Sequence, residues 1–230
     1  MLISGLQKLT LLDYPQKVAA TIFTPGCNFR CPFCHNASLV IDPGNAQIIS
    51  EQDVMKFLDS RKGILDGVCI TGGEPLMHKD IGDFINKVKQ LGYLVKLDTN
   101  GSYFDRMKEL VDSNLVDYIA MDIKNSPEKY EITAAATPDM LEQIKKSVAF
   151  LLEEKVDYEF RTTVVREFHK EDDFLSIGKW IEGAKSYILQ NFEDSEDVIQ
   201  SGLSSVGHNK LQTFADIVRP FVRSVHIRGV

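Results

Sequence analysis

Residues 18–36 read VAATIFTPGCNFRCPFCHN. The run 18–23 is apolar, partly β-branched and short, which suits a buried strand better than a helix. Pro25 and Gly26 then break it. Three cysteines follow within eight residues, Cys27, Cys31 and Cys34, spaced C-x3-C-x2-C. A strand that ends in a chemically loaded loop predicts an α/β fold, because such folds place chemistry at the C-terminal ends of their strands.

Reading outward, the same kind of run recurs at 68–71, 93–99, 118–123, 158–165, 187–192 and 224–228. Near-continuous apolar runs suit parallel strands covered on both faces. Amphipathic stripes lie between them. Val54, Phe57, Leu58 and Leu65 form one, with Ser50 as N-cap and Asp53 three residues on. Ile81, Phe84, Ile85 and Val88 form the next, stopped by Gly92. Phe104, Met107, Leu110 and Val111 follow. Thr137 and Pro138 open a helix as N-cap and first residue. Phe174, Ile177, Trp180 and Ile181 form another stripe, and Asn209 is the expected cap of the last helix. Segments 36–49 and 194–208 lack periodicity and read as surface loops. The sum is six β-then-α units in one α/β domain spanning 1–230, predicted as an incomplete (β/α)6 TIM-like barrel. A doubly wound open sheet is the alternative.

The chain has 230 residues, 43% hydrophobic and 26% charged, enough for a full core without disulfide staples. No apolar run reaches a membrane span, and the N-terminus has no basic start before an apolar block. Cytoplasmic location without membrane partners is therefore expected. A net charge of −7 argues against nucleic-acid binding through phosphates.

The cysteine count then sharpens. Disulfides are a poor reading in a reducing compartment. Zinc wants a fourth ligand; His35 adjoins Cys34 awkwardly, and Cys69 sits in a strand as a small buried side chain. Three thiolates instead suit a [4Fe–4S] cluster whose fourth iron binds something else, since four cysteines are the norm.

The loop 24–36 resembles the signature of the radical S-adenosylmethionine (SAM) superfamily, with Phe33 in its aromatic position. Three ordered segments resemble the same superfamily: ITGGEP at 70–75, LDTNG at 97–101 and MDIK at 121–124, each at a strand end. The resemblance implies a [4Fe–4S] cluster on Cys27, Cys31 and Cys34 and SAM as cosubstrate. It implies that Gly72, Gly73 and Glu74 meet the methionyl amine, and that Phe33 and His35 meet adenine. Lys124 would pair with the methionyl carboxylate. Asp98, Thr99 and Asp122 would hold SAM or a nearby monovalent cation, or else form ion pairs with Lys96 and Lys124. Arg161 sits where a family basic residue reaches SAM; a family His late in the barrel that contacts SAM has no clear match, and Gln190 lies roughly at its place. His169 and His208 are candidates by residue type alone.

The stretch 5–36 is similar to one branch of the anaerobic ribonucleoside-triphosphate reductase activating proteins. That implies a protein substrate, the large subunit of an anaerobic ribonucleotide reductase, on which a glycine loses hydrogen. Asp13 matches a position near the incoming glycine loop. A flavodoxin or ferredoxin would supply electrons. The alternatives are another glycyl-radical enzyme or a small molecule as substrate, and, more remotely, a noncatalytic iron–sulfur or zinc protein.

Overall fold

The computed structural model describes residues 1–44 and 47–229. Eight strands follow chain order in one sheet, β1 to β8. That order excludes the doubly wound alternative, whose strand order must reverse at a switch point. It is the strand order of an open, partial barrel, as the sequence predicts.

The chain divides into two compact units. The first holds residues 1–28, 38–99 and 105–119. Its strands are β1 (Gly5–Thr10), β2 (Ala19–Thr24), β3 (Gly67–Gly72) and β4 (Leu94–Thr99), together with the start of β5 (Tyr118–Asp122). β2, β3 and β4 are parallel, with Thr21 opposite Cys69 and Cys69 opposite Lys96. β1 is antiparallel to β2 and was not foreseen. Its Gln7, Lys8 and Leu9 are exposed, so the strand lacks the buried face that made the others legible.

Helices follow strands here as the stripes predict. α1 (Ala37–Ile41) is a short exception inside the segment expected to be a loop; positions 45–46 of that segment lie outside the described residues. α2 (Glu51–Asp59) is capped by Ser50, whose Oγ accepts from the Asp53 N–H at 3.1 Å. It stops before Leu65, which is buried from the following loop. α3 (Ile81–Gln90) ends before Gly92, which takes φ +91. α4 (Phe104–Asp112) buries Met107, Leu110 and Val111.

The second unit holds residues 29–37, 100–104 and 120–230. It contains the end of β5, α5 (Tyr130–Ala134), α6 (Pro138–Leu152), β6 (Asp157–Val164), α7 (Glu171–Trp180), β7 (Tyr187–Asn191), α8 (His208–Val218) and β8 (Val225–Arg228). Thr137 caps α6, accepting from the Met140 N–H at 3.3 Å. Gly207, not Asn209, precedes α8, so Asn209 lies inside the helix. β6, β7 and β8 are parallel, and Gln190 stands opposite both Thr163 and Arg228.

Among the described residues no helix is long and apolar enough to cross a membrane.

Candidate radical site

The cysteine loop leaves the C-terminal end of β2. None of the four cysteines forms a disulfide; Cys31 is buried, and Cys27 and Cys34 are half-buried. The loop's first turn is stitched to the segment after β3. Gly73 N–H donates to the Thr24 carbonyl and Glu74 N–H to the Gly26 carbonyl, both at 2.8 Å. A Cβ on Gly73 would stand 1.8 Å from the Gly26 oxygen, and one on Gly72, at φ +113, would stand 2.4 Å from the Thr24 nitrogen. The paired glycines therefore let two backbone segments of the protein meet, a role the sequence reading reserved for a ligand.

Glu74 is fully buried. One of its carboxylate oxygens accepts from the Leu76 N–H at 3.0 Å and from Thr99 Oγ1 at 2.8 Å. The structure thus joins Glu74 and Thr99, from two separate motifs, directly.

Lys96 is almost completely buried and ion-paired with Asp98. Its Nζ lies 3.8 Å from Cys69 Sγ, which in turn lies 3.7 Å from Asp98 Oδ1. Cys69 is buried as the sequence predicts, but it packs in a polar row rather than in hydrocarbon. On the neighbouring strand, Thr21 Oγ1 donates to Asp13 Oδ2 at 2.5 Å. Asp13 is further held by its N–H, which donates to Thr10 Oγ1 at 3.3 Å.

In the second unit Asp122 ends β5 between two cations. Lys124 Nζ donates to its Oδ2 at 2.9 Å, while Arg161 Nε and Nη2 reach its Oδ1 at 3.0 Å. Burial favours the neutral carboxyl, but the two cations outweigh it and hold the Asp122 pKa down to about 2. Burial also opposes the Lys124 charge. Asp122, Cys31 and Cys34 overcome it, so the ammonium stays protonated well above its ordinary range. Lys124 therefore senses two thiols of the C-x3-C-x2-C loop electrostatically.

Phe33 is buried against Phe168, with ring centroids 5.8 Å apart, and edge-on to His169 at 6.2 Å. His35 Nε2 lies 2.7 Å from the Glu193 carbonyl, and its ring packs on Phe192 at 5.2 Å. A cleft of about 370 Å³ opens beside it at the ends of β6, β7 and β8, lined among others by His35, Thr163, Gln190, Asn191 and Arg228. The structure thus brings His35 and Gln190 to one cleft.

Comparison with known proteins decides the family. The Radical SAM superfamily pattern matches residues 21–181. This chain belongs to the radical SAM superfamily. A Methanocaldococcus jannaschii protein named as a glycyl-radical enzyme activating enzyme is 32% identical over 236 residues, covering 100% of this chain and 96% of its own. That likeness shows the branch: the radical SAM glycyl-radical enzyme activating enzyme family. Among solved structures, a domain of pyruvate-formate lyase-activating enzyme from Bacteroides vulgatus has a TM-score of 0.59 at 16% identity, over 71% of this chain and 99% of that one. Streptococcus suis SuiB bound to S-adenosylmethionine has a TM-score of 0.66 at 13% identity, over 91% of this chain and 52% of that one. These two show the shared fold.

Radical SAM enzymes use a [4Fe–4S] cluster and SAM. The donor set fits that cluster, with three thiols on one loop and none consumed in a disulfide. Among the described residues no three His, Cys, Asp or Glu side chains already surround a metal position. That is ordinary for thiols, which deprotonate and close around a metal as it binds.

Sequence reasoning undervalued Lys96 and His169. A lone lysine inside the apolar run of β4 was the available signal for the first. Residue type alone marked the second, and its role stayed hidden because its partner Lys124 lies far away along the chain.

Proposed function

We propose that this chain is the activating enzyme of an anaerobic (class III) ribonucleoside-triphosphate reductase, with both units working as one radical SAM domain in the reducing cytoplasm. Cys27, Cys31 and Cys34 would hold the cluster. When bound, it supplies one electron to break the S–C5′ bond of SAM, giving methionine and a 5′-deoxyadenosyl radical that takes a hydrogen atom from a backbone glycine of the reductase. A flavodoxin or ferredoxin is the chemical class of donor for that electron.

The chain's own residues bind and orient. Lys124 and Arg161 present positive charge for the methionyl carboxylate, with Asp122 holding both in place. Glu74, fixed by Thr99, supplies a carboxylate for the methionyl amine. His35 and Gln190 line the cleft of about 370 Å³, which we assign to the adenosyl group. Asp98 and Asp122, read from sequence as possible partners of a monovalent cation, already face Lys96, Lys124 and Arg161. We assign those side chains the role of the external cation.

The observation that carries the general reading is the Lys124–Asp122–Arg161 triad, a pair of cations on one carboxylate at the end of β5. The likeness of the N-terminal stretch 5–36 carries the choice of reductase. The test is anaerobic incubation of reconstituted protein with SAM, a strong reductant and the purified reductase. A glycyl radical signal on the reductase, with one 5′-deoxyadenosine formed per radical, is expected. SAM cleavage without a radical on the reductase, but with one on another glycyl-radical enzyme, would overturn the choice of partner.

A further inference from the structure

The backbone just after β5 is gripped by side chains rather than by a strand. The Lys124 N–H donates to Tyr130 Oη at 3.0 Å, and the Lys124 carbonyl faces His169 Nε2 at 3.0 Å. Tyr130 is 1% exposed and His169 3%. The next residue, Asn125, is fully buried, and its Nδ2 donates to Thr133 Oγ1 and to the Phe168 carbonyl, both at 3.1 Å.

The bonding orients the His169 ring. A carbonyl can only accept, so Nε2 carries the proton toward Lys124. Nδ1 is then the acceptor for the Val165 N–H, 3.1 Å away. Nδ1 also lies 3.2 Å from the Val165 carbonyl, and burial lowers the ring's pKa in the direction of the neutral form, in which Nδ1 accepts. Aromatic contacts lock the two rings. Tyr130 meets Trp180 edge-on at 5.9 Å, and His169 lies against Phe33 at 6.2 Å and Phe174 at 5.8 Å.

We propose that Tyr130 and His169 are positioning residues: they clamp the two peptide groups of Lys124, so that its ammonium is set for SAM before SAM arrives. His169 does a second job, bracing Phe33 of the cysteine loop against the same clamp. The inference rests on the SAM-binding role given to Lys124 above. Its physical basis is preorganisation: the clamp fixes the backbone from which the Lys124 side chain springs, while Asp122 holds the ammonium, and a site whose anchor is already placed loses less on binding. A purely structural pair would cost stability alone and leave the affinity of the folded protein unchanged.

The test compares Tyr130→Phe and His169→Gln with Tyr93→Phe, all loaded with cluster. Tyr93→Phe also removes a buried tyrosine-to-backbone hydrogen bond, donated by Oη to the Leu58 carbonyl at 2.7 Å, outside every motif. SAM binding is measured by equilibrium dialysis, SAM cleavage by its KM and kcat, and amide exchange at Lys124 in cluster-free protein. In Tyr130→Phe and His169→Gln, the dissociation constant and KM should rise about tenfold, the size of one hydrogen bond, with kcat within about twofold. Lys124 amide exchange should quicken in Tyr130→Phe. Tyr93→Phe should lose stability and keep its SAM affinity. Unchanged affinity in both clamp variants, or an equal loss in Tyr93→Phe, overturns the inference. Failure of the parent protein to bind SAM would instead overturn the reading of Lys124, and the inference with it.

Discussion

Gly73 and Gly26 meet backbone to backbone, so closely that any side chain at 73 would strike the Gly26 carbonyl oxygen at 1.8 Å. The contact joins the turn after β3 to the start of the cysteine loop. Two hydrogen bonds of 2.8 Å run beside it, from the Gly73 N–H to Thr24 and from the Glu74 N–H to Gly26. The obstacle to a Cβ is backbone, which has no rotamer to move out of the way.

Gly73→Ala should therefore force the cysteine loop to shift. Overpacking typically costs about 1–3 kcal/mol, and a backbone clash belongs at the upper end or beyond. In a chain of this size about 3 kcal/mol lowers the melting temperature by roughly 6–12 °C. Iron incorporation should fall with it. Gly82→Ala on helix α3 is the contrast, since its new Cβ would lie 3.6 Å from Leu110 Cδ2 of α4. There the exchange should raise stability by about 0.5–1 kcal/mol. Differential scanning calorimetry and iron analysis on both variants check the pair.

Alanine at Cys27, Cys31 or Cys34 should each abolish cluster binding, whereas Cys69→Ala should retain the wild-type iron and sulfide content. Cys69 lies on β3 among Lys96 and Asp98, where its thiol is engaged in the polar row. Losing its sulfur should cost stability, on the order of 1 kcal/mol. Loss of iron on changing Cys69 alone would defeat the three-ligand assignment.

Lys96→Met should be among the most destabilising single changes. It strips the cation from a buried pair and leaves Asp98 with 13% exposure. Breaking such a pair from one side costs about 3–5 kcal/mol, measurable by urea unfolding. The same residue bears on ion dependence. SAM cleavage by the parent protein should be unaffected when sodium and potassium are exchanged for tetramethylammonium. A strict requirement for either ion would refute the assignment of Lys96, Lys124 and Arg161 as the internal counter-charges.

Much of this was legible in the sequence, for particular reasons. β2 to β7 announced themselves as nearly continuous apolar runs, the mark of largely buried strands, and β8 by its alternation of half-buried and exposed residues. The caps Ser50 and Thr137 were readable because capping chemistry is local. β1 was missed because half of it faces solvent, and α1 because five residues cannot display a helical period. At the site, the cysteines and glycines were visible as spacing. What stayed hidden was pairing across distance: Glu74 with Thr99, Asp13 with Thr21, and His169 with Lys124 each depend on the register of strands and loops that sequence periodicity does not encode.

Asp13→Asn should separate two activities. The Asp13 carboxylate accepts from Thr21 on β2, and an asparagine can still accept there through its amide oxygen. SAM cleavage without partner should therefore persist near the parent rate, while radical formation on the reductase falls. Equal loss of both would place Asp13 with the cofactor instead of the protein substrate.

His169 should leave its mark on the pH dependence of stability. In the folded protein, burial lowers its pKa below the ordinary 6.5, with Lys129 acting in the same direction; the Lys124 and Val165 backbone groups and the Asp173 carboxylate partly oppose this. In the unfolded chain the same imidazole titrates near 6.5. Between those two values the unfolded state binds more protons, so stability must fall as pH drops through 6.5, by at most about 1.4 kcal/mol per pH unit. The sign is opposite to that of a histidine holding a carboxylate partner, whose contribution fades as pH rises. Asp122, held near 2, acts in a separate window: its contribution is complete above the ordinary carboxylate range and is lost only as pH falls from about 4 toward 2. Urea midpoints measured from pH 7.5 to 5 should therefore decline in the parent protein and flatten in His169→Gln, with the m-value unchanged. A parent and a variant that decline in parallel would mean that His169 titrates in the fold as it does in the unfolded chain, against the direction its burial sets.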